Sequence, residues 1–301
     1  MAGHQSVLLS EAIDSLQIAP DDIVVDATVG GAGHFSALRF ALGSQGTLIG
    51  IDADSDAIDR GRDAAIGGPS DQGPKVILEL DNFRNLEEIL DKHHVEKVAK
   101  VLFDLGWSGY QLTRGRGFSF QSDEPLLMTY GDPGRQTTAE DVVNGATEDE
   151  LMEMLFTLGE EQFARKIARG IVEARKQERI TTTFQLVDVI KRSTPVWYQK
   201  RRLHPATKTF QALRIYVNDE LGALREGLGT AIERVRPGGR IAVITFHSIE
   251  DRIVKLMFRE AVSAGKGRLV TKKPIVPMED ELAENPRARS AKLRVFECTT
   301  I

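Results

Sequence analysis

Cysteine is nearly absent from this chain of 301 residues, since Cys298 is the only one. A single cysteine excludes an intramolecular disulfide and any metal site built from several thiolates. Residues 1–20 contain Glu11 and Asp14 but no lysine or arginine, so they lack the basic region of a secretory signal peptide. No apolar run approaches the length of a membrane span. We therefore expect a cytoplasmic protein with one large domain, or one domain and an insertion.

The net charge of −5 hides an uneven distribution of basic residues. Three windows contain no acid and carry seven, four and four lysines and arginines, namely residues 189–218, 261–278 and 285–296. An acidic body with separate basic tracts is typical of a protein that binds a polyanion at defined places. Ordinary solvated surface is the alternative explanation of the same pattern.

The segment from residue 23 to residue 52 has the pattern of a nucleotide-binding strand, helix and strand. An apolar run over residues 23–27 contains Asp26 and leads into V-G-G-A-G-H, and a second run ends in Asp52, 22 positions after Gly30. Glycines let the backbone approach a ligand closely, and a helix that begins near Gly33 presents free N–H groups there. A carboxylate at this spacing accepts hydrogen bonds from ribose hydroxyls. The pattern predicts a ribose-containing cofactor across the strand ends.

Further strands are predicted at residues 75–80, 101–104 and 241–246, the last after a turn at residues 236–240. Because parallel strands in an open sheet end at one edge, Asp26, Asp52 and Asp104 are expected to converge there. Residues 268–273 and 293–298 are predicted to form two late strands that pair antiparallel at one edge of the sheet.

The alternation of strand and helix stops between residues 109 and 203. Thr147 with Glu150 and Thr182 with Gln185 form capping-box pairs that predict helices, and Gly159 is expected to end the first of these. We therefore predict a core of residues 1–108 and 204–301 with a helical insertion, residues 109–203, for substrate recognition. A single long helix after His204-Pro205 is expected to cover the sheet.

A dinucleotide dehydrogenase is the first alternative for the cofactor, because it too has a glycine turn and a distal acid. Three details favour S-adenosylmethionine: the glycine motif lacks a glycine at its sixth position, Asp26 precedes the glycines, and P-G-G precedes the fifth strand. Together they resemble a class I S-adenosylmethionine-dependent methyltransferase. That fold is α/β, with a Rossmann-like sheet, mostly parallel, and a late antiparallel strand.

Longer motifs extend the resemblance. D-A-T-V-G-G-A-G-H, F-D-L-G-W-S-G-Y-Q-L, H-P-A-T-K-T-F-Q-A-L-R and F-H-S-I-E-D-R stand in the order and spacing of the ribosomal RNA small subunit methyltransferase H family, within a match from about residue 4 to residue 297. The resemblance implies methylation of N4 of one cytidine in the decoding region of bacterial 16S rRNA, within the small ribosomal subunit. It places the cofactor contacts on Ala32, Gly33, His34, Asp52, Phe83, Asp104 and Gln111.

The chain also departs from the family's pattern. Ala32 replaces a glycine, at little cost if the backbone there keeps a conformation that alanine tolerates. The other departures, in residues 106–113 and 123–132, concern the loop expected to face the substrate.

Methyl transfer needs a positioned nucleophile more than covalent help. Asp104 is expected to accept a hydrogen bond from an N–H group of the cytosine amine, and Ser108 is expected to lie behind Asp104. The base must leave its stack, and Trp107, Tyr110 or Phe118 would stack on it. Arg201, Arg202 and Lys208 are expected to contact RNA, whereas His247 and Ser248 either contact the base or cap the next helix. Two other functions remain open: methylation of another nucleic-acid cytosine, and a binding-only assembly factor.

Overall fold

One mixed sheet organises the larger part of the chain. The computed structural model describes residues 6–66, 73–106, 115–131 and 133–299. Within these residues a seven-stranded sheet has the order β3-β2-β1-β4-β5-β7-β6. Its strands are β1 Ile23–Asp26, β2 Thr47–Asp52, β3 Lys75–Leu80, β4 Val98–Asp104, β5 Val235–Thr245, β6 Gly267–Leu269 and β7 Lys292–Cys298.

The direction of the strands confirms the predicted fold class. Strands β1 to β5 pair in parallel, and β7 pairs antiparallel with both β5 and β6. The late antiparallel pair was predicted, but β7 lies between β5 and β6 and only β6 forms the edge. This is the Rossmann-like sheet of a class I S-adenosylmethionine-dependent methyltransferase, and its parallel strands end along one edge.

The boundaries of β2 and β3 are as predicted, whereas the start of β5 is not. The predicted turn at residues 236–240 lies inside β5. On β4, Val98 pairs with Val235 and Lys100 pairs with Arg240, so the stretch between the paired residues is longer on β5 than on β4. Gly238, at φ 75°, lies in this bulge. The P-G-G sequence therefore produces a bulge within a strand rather than a turn before it.

The chain divides into two compact units, residues 1–108 with 221–301, and residues 109–220. In the first unit, apolar side chains of α1, α2 and the central strands form a common buried cluster. No helix in the described ranges is both long and apolar enough to cross a bilayer. The helices of this unit are α1 Leu9–Leu16, α2 Gly33–Ala41, α3 Ser55–Ile66, α4 Leu86–Lys92, α11 Glu220–Arg234, α12 Ser248–Ser263 and α13 Glu279–Glu284.

The second unit is helical and has its own buried cluster. Its helices are α5 Ala139–Gly145, α6 Glu148–Gly159, α7 Ala164–Gln177, α8 Thr183–Ser193, α9 Val196–Gln199 and α10 Thr207–Asn218. The capping boxes of Thr147 with Glu150 and of Thr182 with Gln185 are confirmed, as is the end of α6 at Gly159. A third box, Thr138 with Asp141, starts α5, which the sequence analysis missed.

The second unit extends further than the predicted insertion of residues 109–203. Residues 207–218 form α10, whose Phe210 and Leu213 belong to the buried cluster of the second unit. The prediction of one long sheet-covering helix was wrong, because Asp219 adopts a left-handed conformation with φ 45° and separates α10 from α11. The periodic apolar pattern continues across this break, so the pattern alone did not reveal it.

Two glycines of α11 should respond oppositely to alanine substitution. A Cβ at Gly227 would lie 2.7 Å from Phe83 O and 2.8 Å from Phe83 Cδ2, whereas a Cβ at Gly229 meets nothing within 4 Å. We expect Gly227→Ala to lower the free energy of unfolding by about 2 kcal/mol through overpacking. Gly229→Ala should raise it by about 0.5–1 kcal/mol, since alanine favours the helix. Urea denaturation of both variants measures the difference, and equal effects would contradict this packing of α11.

Candidate functional site

Three aspartates lie at the ends of neighbouring parallel strands. Asp26, Asp52 and Asp104 are the last residues of β1, β2 and β4, which are adjacent in the sheet. Burial raises the pKa of Asp26 from 3.8 to about 7, and the nearby carboxylates of Asp104 and Asp52 act in the same direction, partly offset by His34. The predicted convergence of the three side chains is confirmed, while their roles toward a ligand stay predictions.

Both carboxylate oxygens of Asp52 accept backbone hydrogen bonds. Gly30 N donates to Oδ2 over 2.8 Å and Asp54 N donates to Oδ1 over 2.9 Å. Burial nevertheless raises the pKa of Asp52 to about 6. These bonds fix the orientation of the carboxylate, and each oxygen retains a further lone pair that can accept a hydrogen bond from a ribose hydroxyl.

The glycine loop turns tightly between β1 and α2. Gly30 has φ 50° and Ala32 has φ 62°, both in the left-handed region. Alanine pays roughly 1–2 kcal/mol in this region, so the condition for a replacement at little cost is not met at residue 32. A Cβ at Gly33 would overlap Ser6 Oγ, so the group that approaches this glycine closely is the side chain of Ser6 and not a ligand.

The imidazole of His34 is held by protein atoms on both sides. Its Nε2 lies 3.1 Å from Val7 O, to which it must donate, and its Nδ1 lies 3.2 Å from Asp104 Oδ2. Burial lowers the pKa of this imidazole, but Asp104, Asp26 and the carbonyl of Val7 together raise it, and the net shift is upward. A cofactor contact by residue 34 would therefore come from its backbone N–H, which lies in the first turn of α2.

Asp104 is held in place from two directions. Its backbone N–H donates to Thr28 Oγ1 over 2.7 Å, and His34 contacts its Oδ2. Its Oδ1 has no hydrogen-bond partner among the described residues, and neither has Asp26 Oδ2. The side chain of Asp104 is 24% exposed, so this carboxylate is restrained by the protein and still accessible.

Phe83 follows β3 in a short 3-10 turn. Its ring packs edge to face against Phe103, with the centroids 5.5 Å apart, and it is only partly buried. It is thus part of the wall between β4 and α11. Its contact with the cofactor stays a prediction.

These features fit S-adenosylmethionine. Asp52 can accept from the ribose hydroxyls, the first-turn N–H groups of α2 can donate to a carboxylate, and the ring of Phe83 provides an apolar face. Two buried oxygens at the same edge, Asp26 Oδ2 and Asp104 Oδ1, have no hydrogen-bond partner among the described residues. This edge is therefore polar, and its hydrogen-bonding capacity is not fully used.

His247 acts as a helix cap. Its Nδ1 accepts from Glu250 N over 3.4 Å at the start of α12, which begins at Ser248 rather than at Glu250. Glu250 in turn accepts from Phe246 N over 2.9 Å. Of the two interpretations of His247, the structure provides the cap. Contact of His247 or Ser248 with a base stays a prediction.

At least half of the lysines and arginines in the two later basic windows are paired with acids within the first unit. Arg268 binds Glu297, Lys266 binds Glu233, and both Lys292 and Arg294 bind Asp251. The acids in these pairs lie outside the windows in sequence. The sequence analysis therefore overestimated the positive charge that these two windows present to a polyanion.

The residues of the first basic window belong to the second unit and differ in their contacts. Lys208 Nζ donates to Glu160 O over 2.5 Å at the end of α6, so it has a structural role there. Arg214 forms a two-point ion pair with Glu220. Arg201 and Arg202 are exposed and have no carboxylate partner within the described part of the chain.

Four predicted site residues, Trp107, Ser108, Tyr110 and Gln111, lie outside the described residues. Phe118 is described, but it is only 8% exposed and stacks on Tyr130 with centroids 5.6 Å apart. It belongs to the core of the second unit, so its assignment as a base-stacking residue was wrong.

Other side chains near the strand ends escaped the sequence analysis. Thr28 positions Asp104, Arg60 donates from Nε to Gly30 O over 2.8 Å, and Ser6 contacts Gly33. Thr28 is two residues beyond Asp26, in the loop that connects to the glycines, which is the only sequence signal for its role. The Arg60 contact spans thirty residues and has no sequence signal.

The burial of Asp26 predicts a dependence of stability on pH. Between about pH 4 and pH 7 the unfolded chain loses this proton before the folded chain does, so stability falls as pH rises. We expect the decrease in unfolding free energy from pH 5 to pH 8 to be about 1–3 kcal/mol smaller in Asp26→Asn. The exposed control Asp63→Asn should keep the wild-type pH dependence. An unchanged profile in Asp26→Asn would contradict the raised pKa.

The chain resembles characterised proteins along its whole length. Residues 1–299 match the MraW methylase family. A protein of Deinococcus radiodurans named ribosomal RNA small subunit methyltransferase H is 47% identical over 295 residues, covering 98% of this chain and 89% of the relative. Proteins of the same name are 47% identical in a Paenibacillus species, covering 99% of both chains, and 43% identical in Lachnospira eligens, covering 98% of this chain and 97% of the relative. On this similarity and on the geometry of its strand ends, the chain belongs to the MraW methylase family of S-adenosylmethionine-dependent methyltransferases.

Proposed function

We propose that this protein transfers a methyl group from S-adenosylmethionine to N4 of a cytidine in the decoding region of bacterial 16S rRNA, within the small ribosomal subunit. The observation that carries the proposal is Asp104, an accessible carboxylate fixed at the end of β4 by His34 and Thr28. The names of the relatives support the choice of small-subunit rRNA as the substrate.

The chain's own residues would hold the cofactor at the strand ends. Asp52 would accept from the ribose hydroxyls, and the N–H groups of residues 33 and 34 would donate to the amino-acid carboxylate of the cofactor. Phe83 would pack against the adenine. When bound, S-adenosylmethionine supplies a methyl group on a sulfonium, which a positioned nucleophile attacks in line.

Asp104 would bind the acceptor amine. The lone pair of the cytosine N4 is drawn into the ring, and an oxygen that accepts a hydrogen bond from one of its N–H groups favours attack by that nitrogen. The N–C bond would form as the S–C bond of the sulfonium breaks, and the amine would lose one proton to Asp104 or to water. His34 contacts only Oδ2, which retains a further lone pair that could accept from the amine, while Oδ1 is buried and has no partner among the described residues. The contact with His34 fixes the carboxylate in one orientation. Positioning of the reacting groups is the main contribution that a protein makes to such a transfer.

A transfer assay with product mapping tests the function. The purified chain is incubated with labelled S-adenosylmethionine and small ribosomal subunits that lack the modification, and the labelled nucleoside is identified and located. N4-methylcytidine in the decoding region is the expected product. Another labelled nucleoside or another position would indicate a different substrate, and cofactor binding without transfer would indicate an assembly factor.

Substitutions at the two accessible aspartates should separate chemistry from cofactor binding. We expect Asp104→Asn to lower kcat by about 100-fold or more, because the acceptor for the amine loses its charge. Asp52→Asn should raise the Kd for S-adenosylmethionine by about 10-fold or more, since a charged hydrogen-bond acceptor is lost. Single-turnover transfer at saturating cofactor and equilibrium cofactor binding provide the two measurements. Full turnover in Asp104→Asn would remove its catalytic role.

Charge reversal at Arg201 and Arg202 should weaken RNA binding in a salt-dependent way. The double variant Arg201→Glu with Arg202→Glu is expected to flatten the slope of log K against log salt by about 1.5, as two phosphate contacts are lost. Cofactor affinity should not change. The double variant Lys176→Glu with Arg179→Glu carries the same net charge and serves as the control. Equal salt slopes in the two double variants would exclude Arg201 and Arg202 from the RNA surface.

A further inference from the structure

The short helix α9 presents large apolar side chains to solvent. It begins after Pro195 and contains Val196, which is 65% exposed, and Trp197, which is 58% exposed. Tyr198 on the same helix is only 4% exposed. Two neighbouring aromatic residues thus have opposite roles, since one anchors the helix in the second unit and the other faces water.

The anchor is a buried hydrogen bond. Tyr198 Oη donates to Glu161 Oε2 over 2.7 Å, and Glu161 is fully buried. Burial and the neighbouring carboxylate raise the pKa of Tyr198, so the phenol keeps its proton and remains the donor. Glu161 Oε1 also accepts from Phe163 N over 2.9 Å. This arrangement fixes α9 against the connection between α6 and α7.

The ring of Trp197 is held at an angle to its neighbours. Its centroid lies 5.8 Å from that of Phe163 at 61° and 5.9 Å from that of Tyr198 at 89°. These edge contacts restrain the indole, and more than half of the side chain remains open. An exposed indole in a restrained orientation is suited to stacking on a planar ligand.

Cations lie over the two aromatic rings that contact this indole. Arg201 lies over the Tyr198 ring at 5.2 Å and Lys166 over the Phe163 ring at 5.7 Å. Lys200 and Arg202 are exposed in the next turn of chain, and within the described ranges no carboxylate pairs with either. We call Trp197, Lys166, Lys200, Arg201 and Arg202 the aromatic–basic surface.

We propose that Trp197 stacks on an unpaired base of the RNA substrate while the cations of the aromatic–basic surface contact the flanking phosphates. An aromatic platform within a row of cations is the combination that binds single-stranded nucleic acid, since the ring takes the base and the cations follow the backbone. Four cations for which the described residues provide no carboxylate partner favour a polyanion over a protein partner. The inference rests on the proposed function, because it names how that substrate is held.

The test compares Trp197→Ala, Trp197→Phe and Phe184→Ala in binding unstructured RNA oligonucleotides. Phe184 is 45% exposed on α8 of the same unit and serves as the matched control. We expect Trp197→Ala to weaken binding by about 10-fold, Trp197→Phe to retain most of the affinity, and Phe184→Ala to have no effect. Thermal unfolding of each variant checks that the fold is kept.

The salt dependence separates stacking from charge. Loss of a stacking residue should lower the affinity of Trp197→Ala equally at every salt concentration, with an unchanged slope, unlike the reversal of Arg201 and Arg202. Duplex RNA, whose bases are already stacked, should show little change. Wild-type RNA affinity in Trp197→Ala would overturn the proposal. If RNA binding stays intact and the sedimentation of the variant changes, Trp197 instead contacts another protein chain, and the proposal is overturned as well.

Failure of the inference can be told apart from failure of the proposed function. Methyl transfer to small subunits is measured on the same preparations, and Trp197→Ala is expected to raise KM with little change in kcat. Absence of transfer by the wild-type chain would contradict the function, whereas the oligonucleotide comparison would still decide the role of Trp197.

Discussion

The convergence of three carboxyl groups at one edge of a parallel sheet, one buried and two partly buried, is the constraint on which the candidate site depends. Carboxylates brought together away from water repel each other and lose hydration. The chain meets this cost in three ways: Asp26 has a raised pKa, Asp52 accepts two backbone N–H groups, and the imidazole of His34, whose pKa is raised, contacts Asp104. The glycine loop, the N-terminal segment and α2 are all arranged around these contacts.

The two units obtain their order from different sources. In the first, long-range pairing of strands fixes the positions of the aspartates. In the second unit, local interactions dominate, since a capping box starts each of α5, α6 and α8. In addition, α6 packs closely on α10 at Gly159. This difference suits a division in which one unit holds a cofactor of fixed shape and the other recognises a larger substrate.

The sequence predicted the features that depend on local pattern. Strands β2 and β3, two capping boxes and the strand-end aspartates were all predictable, because apolar runs, cap residues and spacing are local signals. Contacts between distant residues were not. Ion pairs such as Arg268 with Glu297 neutralise charge that a count along the chain leaves unopposed, and the left-handed conformation of Ala32 has no signal in the sequence, because alanine rarely adopts it. Phe118 is a further example, because this aromatic residue of a predicted loop belongs to the core of the second unit.

The position of β7 has a consequence for how the protein forms during synthesis. Strand β7 lies inside the sheet, although it is near the end of the chain, and β5 is separated from β4 by the whole second unit. Roughly 130 further residues must therefore be synthesised, on the order of ten seconds of translation, before the parallel partner of β4 exists. During that interval an apolar strand edge is available to other chains. The contiguous second unit, residues 109–220, is synthesised before β5 begins, whereas the sheet gains β7 only at residues 292–298.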